Sequence, residues 1–466
     1  MIPLTAAQVA ATTGGRVVSG PPDVLADGEV VVDSRRAGPG AVFVALPGER
    51  VDGHDHAGAA VAAGATVILA ERAVDVPATA AVVVVADGVA ALGALAASVL
   101  AGLDPVVVGV TGSQGKTTTK DLLAGLLAPL GPVVAPHGNL NNEIGVPLTV
   151  LRADAGTRAL VVEMGARGVG HIAELCRIAP PRVGVVLAVG SAHASEFGSI
   201  EATAQAKGEL VEALAPEGLA VLNADDPRVA AMRGRTRARV LTFGRSRHAD
   251  VRAEDVRLDE EARARFTLVG PDGEHGEVAL RLHGEHQVGN ALAAAAVALG
   301  LDLPVAGVAA ALSAAEAGSP GRMQVLRRTD GITVVDDAYN ANPESVRAAL
   351  KALVGMAGGR RTWAVLGEML ELGPDSRDEH DAIGRLAVRL DVSRVLVVGA
   401  GARPVFTGAV MEGSWGEEAA FVADTDAALD LLRAELRPGD VVLVKSSHGA
   451  GLHTLAAALR TAEVPA

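Results

Sequence analysis

The chain has 466 residues, 49% of them hydrophobic, 21% charged and only 2% aromatic. That is enough for about two to four globular domains with cores built from Ala, Val and Leu. Forty-one Lys and Arg against 55 Asp and Glu leave a net charge of −14, which disfavours nucleic acid as a general partner but not local basic pockets for anions. The single cysteine, Cys176, excludes an intrachain disulfide and a cysteine metal cluster, and reads as a buried thiol.

The first stretch, MIPLTAAQVAATTGG, has no basic start and no long apolar run, so no signal peptide is expected. Apolar runs such as Ala80–Ala86 are too short to span a bilayer. A cytoplasmic protein without a membrane partner is expected. Thr5 caps a short helix. Strands are predicted at Val30–Val32, Ala41–Leu46, Ala65–Ala70 and Ala81–Val85, and a helix at Gly88–Gly102. Between the strands lie the polar loops DSRRAGPG (33–40) and GERVDGHDHA (48–57), which suit either anion binding or plain solvated connection. Leu103-Asp104-Pro105 marks a boundary.

VVVGVTGSQGKTTTK (106–120) follows: an apolar strand, a glycine turn, Lys-Thr, and a helix predicted from Thr118 to Leu127. Glycines let backbone N–H groups close on phosphate oxygens, and the helix N-terminus adds positive potential. Gly112, Ser113, Gln114, Gly115, Thr118 and Thr117 would wrap a triphosphate. Lys116 would reach its outer phosphates, and the Thr117 hydroxyl can ligate Mg²⁺. The spacing departs from the common phosphate loop: Val110 stands five residues before Gly115, and the first glycine is Gly109. An ordinary tight turn is the bland alternative.

Strands at Val106–Val110, Ala159–Val162, Val183–Val189, Leu219–Asn223 and Arg239–Phe243 alternate with amphipathic helices, predicting a doubly wound, mainly parallel sheet. Residues 250–283 switch to alternating stretches broken by Pro271-Asp272-Gly273, a hairpin appended to that sheet. Helices follow at Val288–Leu299 and Pro304–Ala315, then a linker at Gly318–Gly321. The last block alternates again. Its strands are Ile332–Val335, Thr362–Leu366, Arg394–Val398, Phe421–Ala423 and Val441–Lys445, with helices such as Asp375–Leu390 and Thr425–Leu436. The expected fold class is α/β with three domains: 1–102, a central doubly wound ATPase-like 103–318, and a Rossmann-like 319–466.

Glu163 and His193 follow strands of the central block, at the edge where open α/β sheets bind ligands. A carboxylate beside a bound triphosphate completes a hard-cation site with Thr117. Taken singly, Glu163 also reads as a surface acid and His193 as a loop histidine. Asn139, Asn141 and Asn142 make an amide-dense loop suited to phosphate, metal-bound water or simple turns. By position alone Lys207 reads as a solvated helix lysine.

TGSQGKTTTK, GNLNNEIGVPLTVL, VVEMGARGVGHI, EFGSIEATAQAKGELVEAL, VLNADD, GEHQVGNALAAAAVA, VVDDAYNANPESVRAAL, VLGEMLELG and VLVKSSHGAGL occur in this order. Together with DSRRAGPGAVFVALPGERVDGHDHA they resemble the Mur ligases of bacterial cell-wall synthesis over almost the whole chain. The resemblance implies an ATP-dependent ligase that joins D-alanyl-D-alanine to a UDP-linked muramoyl tripeptide through an acyl phosphate. It implies ATP, two Mg²⁺ and a carbamylated Lys207. Thr117 and Glu163 would hold one Mg²⁺; the Lys207 carbamate would hold the second, paired with His193. Lys116, Lys207, His193 and Asn142 become catalytic candidates. His286 and Asn290 match residues by the adenine, and Arg322 and Asp337 match residues that reach the nucleotide from the third domain. Ser34, Arg35, Asp52, Gly53 and His54 would cradle the UDP part. Asn340, Asn342 and Glu371 would lie toward the peptide substrates. A monomer is expected.

Two departures from the family pattern bear on substrate choice: Ala188 stands where the family usually has Asn, and His448 where it usually has Arg. A bidentate cation is thereby replaced by a group that is often neutral at pH 7. A ligase of the same class with another amino acid or acceptor is the alternative reading. A non-catalytic nucleotide-binding partner is the third; such Mur-like partners often carry a four-cysteine zinc insertion, which one cysteine excludes.

Overall fold

The computed structural model describes residues 2–48, 51–190, 197–413 and 418–461. Thr5 begins the first helix as read: its hydroxyl accepts from Gln8 N at 3.2 Å while the Gln8 side chain accepts from Thr5 N at 2.8 Å, a reciprocal capping box. A five-stranded sheet follows, ordered Arg16–Ser19, Ala81–Val84, Val67–Ala70, Val42–Ala45, Val30–Val31. Arg16–Ser19 is its one antiparallel member among the described residues.

Helix α1 (Gly88–Ala101) starts on Asp87, whose carboxylate accepts from Ala90 N at 2.9 Å. It packs against the helix Ala6–Thr13 and, on another side, against the helices Gly145–Val150 and His171–Ile178. Gly93 keeps that crossing close: a Cβ there would stand 3.2 Å from Ile178 Cδ1. Val9, Leu92 and Leu95 therefore share one core with Val107, Leu160 and Ile172. Burying a leucine of this kind contributes about 1.5–3 kcal/mol, so the apolar core runs across the 103–105 boundary without a break.

In the central block β1 (Val106–Thr111) leads into α2 (Lys116–Leu126), then β2 (Ala159–Glu163), β3 (Val183–Val186), α3 (Ile200–Glu212) and α4 (Gln287–Gly300). The nine-stranded sheet is ordered His275–His283, Arg263–Val269, Val251–Leu258, Arg239–Gly244, Leu219–Asn223, β3, β1, β2, Val133–Val134. The strands after β1 go first to one side of it and then to the other. Its carboxyl end is thus a topological switch point, where such sheets open a ligand crevice. α2 begins at Lys116, two residues earlier than expected, because Gly115 takes φ +80° and serves as its N-cap; the weak helix propensity of the threonine run hid that start. Residues 251–283 form three strands rather than a hairpin. Val251–Leu258 joins the sheet in parallel before two antiparallel partners follow, with Gly273 at φ +82° in the expected turn. Ala291 to Ala298 of α4 are wholly buried against the sheet and α2. A nearly all-alanine surface allows that close approach.

The third block contains β4 (Thr333–Asp337), α5 (Pro343–Ala357), β5 (Thr362–Leu366), α6 (Ser376–Arg389) and β6 (Val441–Lys445). Its six-stranded sheet is ordered Gln324–Arg327, β4, β6, β5, Arg394–Val398, Ala419–Val422. Gln324–Arg327 is antiparallel to β4 and the other pairs are parallel. Leu350, Leu353 and Ile383 fill one face, and Trp363, Leu432 and Leu455 the other. The molecule is thus α/β in three domains, with a doubly wound centre. No helix among the described residues is long and apolar enough to cross a membrane.

Candidate functional site

A cleft of about 1710 Å³ lies where the three domains meet. Its floor is the carboxyl edge of the central sheet, and its walls are α1 on one side and the loops of the third domain on the other. Gly112, at φ +157°, and Gly115, at φ +80°, both hold backbone that side-chain-bearing residues rarely adopt, Gly115 in a left-handed turn. A Cβ on Gly115 would lie 2.2 Å from Asn290 Oδ1, so the loop is pressed directly onto the start of α4. Ser113 fastens it to the end of β3: Ser113 N donates to Ala188 O at 2.9 Å, and Gly190 N donates to Ser113 Oγ at 2.8 Å. Gln114 and Thr118 line the same cleft.

Glu163 ends β2 beside β1 and is 1% exposed. Thr117 Oγ1 donates to its Oε2 at 2.8 Å, and Asn141 Nδ2 donates to its Oε1 at 2.9 Å. It is a buried, oriented acid rather than a surface one. Lys116 Nζ donates to Gly112 O at 2.7 Å, folded back over its own loop. Burial lowers the Lys116 pKa; the nearby Arg322 cation adds to this and the Glu163 carboxylate opposes it.

Lys207 overturns the solvated-lysine reading. It sits on α3 at 2% exposure, its nitrogen 6.0 Å from the Phe197 ring centre. Burial first, and the Lys116 charge second, bring its pKa down to about 7. Neighbours enforce this position. Gly208 is glycine because the Arg235 guanidinium packs onto it, donating to Ala204 O and Gln205 O at 3.1 and 2.8 Å. Glu209 turns the other way and caps the helix His171–Ile178, accepting from Gly170 N and Ala173 N at 2.5 and 3.0 Å. Lys116, Thr117, Glu163 and Lys207 all line the cleft. His193 lies outside the described residues.

From the third domain, Arg322 stacks its guanidinium 4.4 Å from the Tyr339 ring centre, and its Nε is buried without a hydrogen-bond partner. An unpartnered buried donor facing this cleft fits an anionic ligand such as a phosphate. Asp337 is fully engaged: Lys445 Nζ donates to its Oδ2 at 2.6 Å and Met323 N to its Oδ1 at 3.0 Å. Lys445 also donates to Asn340 O at 3.0 Å. Asn342 caps α5 through Ser345 N at 2.8 Å and extends its amide to Ser113 O at 3.4 Å, so the third domain touches the glycine turn. Asn142, His286, Asn290, Asn340 and Glu371 line the cleft as well, Glu371 with φ +64°. Asn142 holds the start of its helix, accepting from Gly145 N at 2.9 Å.

Ser34, Arg35, Asp52, Gly53 and His54 lie in the first domain and are not among the residues lining this cleft. Arg35 pairs with Asp33 at 2.7 Å and is exposed. His54 is buried and structural: Glu71 N donates to its Nε2 at 3.0 Å, so the ring hydrogen sits on Nδ1, 2.6 Å from Asp52 Oδ1. Hydrogen bonds from the His54 backbone and ring and from Arg72 hold the Asp52 carboxyl well below the usual range. Cys176 is buried against Met164 Sδ at 3.7 Å, its thiol pushed up to about 12 by burial.

Sequence reasoning did not single out the residues that brace the end of β3. Asn223 Nδ2 donates to Leu187 O at 2.8 Å, and Asp226 accepts from Val189 N at 2.8 Å while capping the next helix. Their signal was the VLNADD segment itself, a strand ending in four consecutive small or polar capping residues.

Three family models match: "Mur ligase family, catalytic domain" over residues 29–99, "Mur ligase middle domain" over 110–298, and "Mur ligase, glutamate ligase domain" over 321–448. The chain is 54% identical over 500 residues, 98% of each chain, to the UDP-N-acetylmuramoyl-tripeptide–D-alanyl-D-alanine ligase of Mycobacterium tuberculosis H37Rv. It is 34% identical to the Escherichia coli K12 protein of the same name, over 99% of each. Among solved structures it resembles MurF of Acinetobacter baumannii (TM-score 0.87, 33% identity, 99% of each chain). It also resembles MurF ligase of Thermotoga maritima in complex with ADP (TM-score 0.79, 32% identity, 93% of this chain and 96% of that one).

Proposed function

The chain belongs to the Mur ligase family, and from that premise we propose how its cleft works. The protein is an ATP-dependent ligase that joins D-alanyl-D-alanine to the terminal carboxyl of UDP-N-acetylmuramoyl-tripeptide. It binds ATP. The observation that carries the reading is the buried grouping of Lys116, Thr117 and Glu163 at the glycine turn, with Lys207 in the same cleft.

An amide does not form from a free carboxylate in water, so the acid must first be activated. In this reading the tripeptide carboxylate attacks the γ-phosphorus of ATP, ADP leaves, and an acyl phosphate results. The amine of D-alanyl-D-alanine then attacks the acyl carbon, phosphate leaves, and the amine proton passes to a base or to solvent. Backbone N–H groups of the Gly112–Thr117 turn hold the phosphates, and Lys116 and Arg322 offset the repulsion between two anions. His286 and Asn290 are assigned to the adenine side, and Asp337 to the nucleotide, with Lys445 orienting it. Asn142, Asn340, Asn342 and Glu371 are assigned to the peptide side. The first domain, residues 1–102, is assigned to the UDP portion, with Ser34 and Arg35 at its surface and the Asp52–His54 turn as its support.

The hydroxyl of Thr117 and the carboxylate of Glu163 form a hard-oxygen pair suited to Mg²⁺, which keeps few protein ligands and takes the rest from phosphate and water. Mg²⁺ there would screen the phosphate charge. We assign a second Mg²⁺ to His193 and to Lys207 as its carbamate; an amine with a pKa near 7 is substantially neutral and so open to CO₂. ATP and nucleotide-linked acceptors support a cytoplasmic reaction.

The test is phosphate release with ATP, Mg²⁺ and both peptide substrates, read with product mass over a panel that includes D-alanyl-D-lactate. Release should require both substrates. Release from ATP alone, unchanged by either, would reject the ligase; a product from another amine donor only would move the specificity.

A further inference from the structure

The third-domain wall includes a turn that follows β5: Gly367, Glu368, Met369, Leu370, Glu371. Leu370 is 40% exposed, Glu371 holds φ +64°, and both line the cleft. A non-glycine residue in the left-handed region persists when its surroundings hold it there. Two side chains from other elements fasten this turn by its backbone. Ser447 Oγ accepts from Leu370 N at 2.9 Å, and Ser447 N donates to Glu368 O at 3.0 Å. The second fastener is His380 on α6, fully buried, whose Nε2 accepts from Met369 N at 2.9 Å.

The opposite nitrogen decides the state of that ring. His380 Nδ1 lies 2.6 Å from Ser376 O, and a carbonyl only accepts. The hydrogen is therefore on Nδ1, and Nε2 offers a lone pair to Met369 N–H. The ring is neutral and in one tautomer, both nitrogens committed to backbone. The Leu370–Glu371 turn lines the cleft with Gly449, whose added Cβ would lie 2.9 Å from Leu370 Cδ1, and in the ligase reading it faces the peptide substrates.

We propose that His380 is a positioning residue for the amine donor: its Nε2 fixes the Met369–Glu371 turn against which D-alanyl-D-alanine is oriented. This rests on the ligase reading of the cleft. His380→Asn keeps a donor at the Nδ1 position but is too short to reach Met369 N, whereas His380→Gln carries an amide oxygen out to the Nε2 position. With His380→Asn the KM for D-alanyl-D-alanine should rise about three- to tenfold, the loss of one buried hydrogen bond, while the KM values for ATP and the UDP-linked acceptor hold. His380→Gln should recover most of that loss. Backbone hydrogen exchange in the 368–372 segment should be faster in His380→Asn and parental in His380→Gln. Equal rises in all three KM values, or parental exchange in His380→Asn, would overturn the proposal. Absence of ligase activity in the parental protein would instead reject the ligase reading, and the exchange comparison would still decide whether His380 pins the turn.

Discussion

Replacing Asp337 by Asn tests how the third domain holds its cleft-facing edge. Asp337 and Lys445 end the parallel strands β4 and β6 as directly paired residues, and their ion pair is 2.6 Å long. The lysine side chain is 2% exposed and the aspartate 13%. Asparagine keeps an oxygen for Met323 N but turns an N–H₂ toward the ammonium, leaving a buried cation whose one retained acceptor is Asn340 O. Breaking one side of a buried pair costs about 3–5 kcal/mol, and the retained bond argues for the lower end. For a domain of this size each kcal/mol moves Tm by roughly 3 °C, so calorimetry should show a fall of about 9 °C. Removing both charges with Asp337→Asn and Lys445→Met together should be less damaging than Asp337→Asn alone, by about 1–2 kcal/mol. A single variant within about 2 °C of the parent, with no recovery in the double variant, would refute the view that Lys445 is buried at the expense of this one carboxylate.

Gly115→Ala meets both a left-handed backbone and Asn290, 2.2 Å from the added Cβ. It should weaken ATP affinity at least about tenfold, read by calorimetric titration, because the loop must move off α4 to accept the methyl group. Lys207→Met should abolish ligation yet stabilise the fold at low pH. The folded amine has a pKa of about 7 against an ordinary 10.5, so the native state resists the proton. The penalty is fully present below pH 7 and is relieved as pH rises from about 7 toward 10.5. Denaturant titrations at pH 6 and pH 9 should show the variant's advantage shrinking with pH; a gap independent of pH would count against the buried ammonium.

Local chemistry was legible in the sequence, and long-range burial was not. Strand, glycine turn and Lys-Thr lie within fifteen residues, so the shape of that loop could be read directly. Glu163 could be placed at a strand end, but its bonds to Thr117 and Asn141 depend on two other elements. Lys207 misled because its helix carries acids and alanines in a solvent-like pattern. Its burial comes from Phe197 and the packing of α3 on the sheet, which the helix alone does not encode. His380 stood in a charged stretch, SRDEHD, with nothing local to mark it as buried. In the first domain the GHDH turn looked like a ligand cradle. Its histidine bonds the neighbouring Asp52 locally and accepts from Glu71 N, a partner that only the folded sheet brings to it.

The uninterrupted leucine and valine packing between α1 and the central sheet has a mechanical result. Two of the three domains share that core, which resists any change in the distance from the α1 wall to the glycine turn. Travel of the third domain would instead bend residues 318–321 and strain the few ties it makes to the centre, among them Asn342 on Ser113 and the Arg327–Glu261 ion pair. A wall that cannot yield selects by length: an acceptor one residue short would leave its carboxyl stranded away from the phosphate, however tightly its nucleotide end were held.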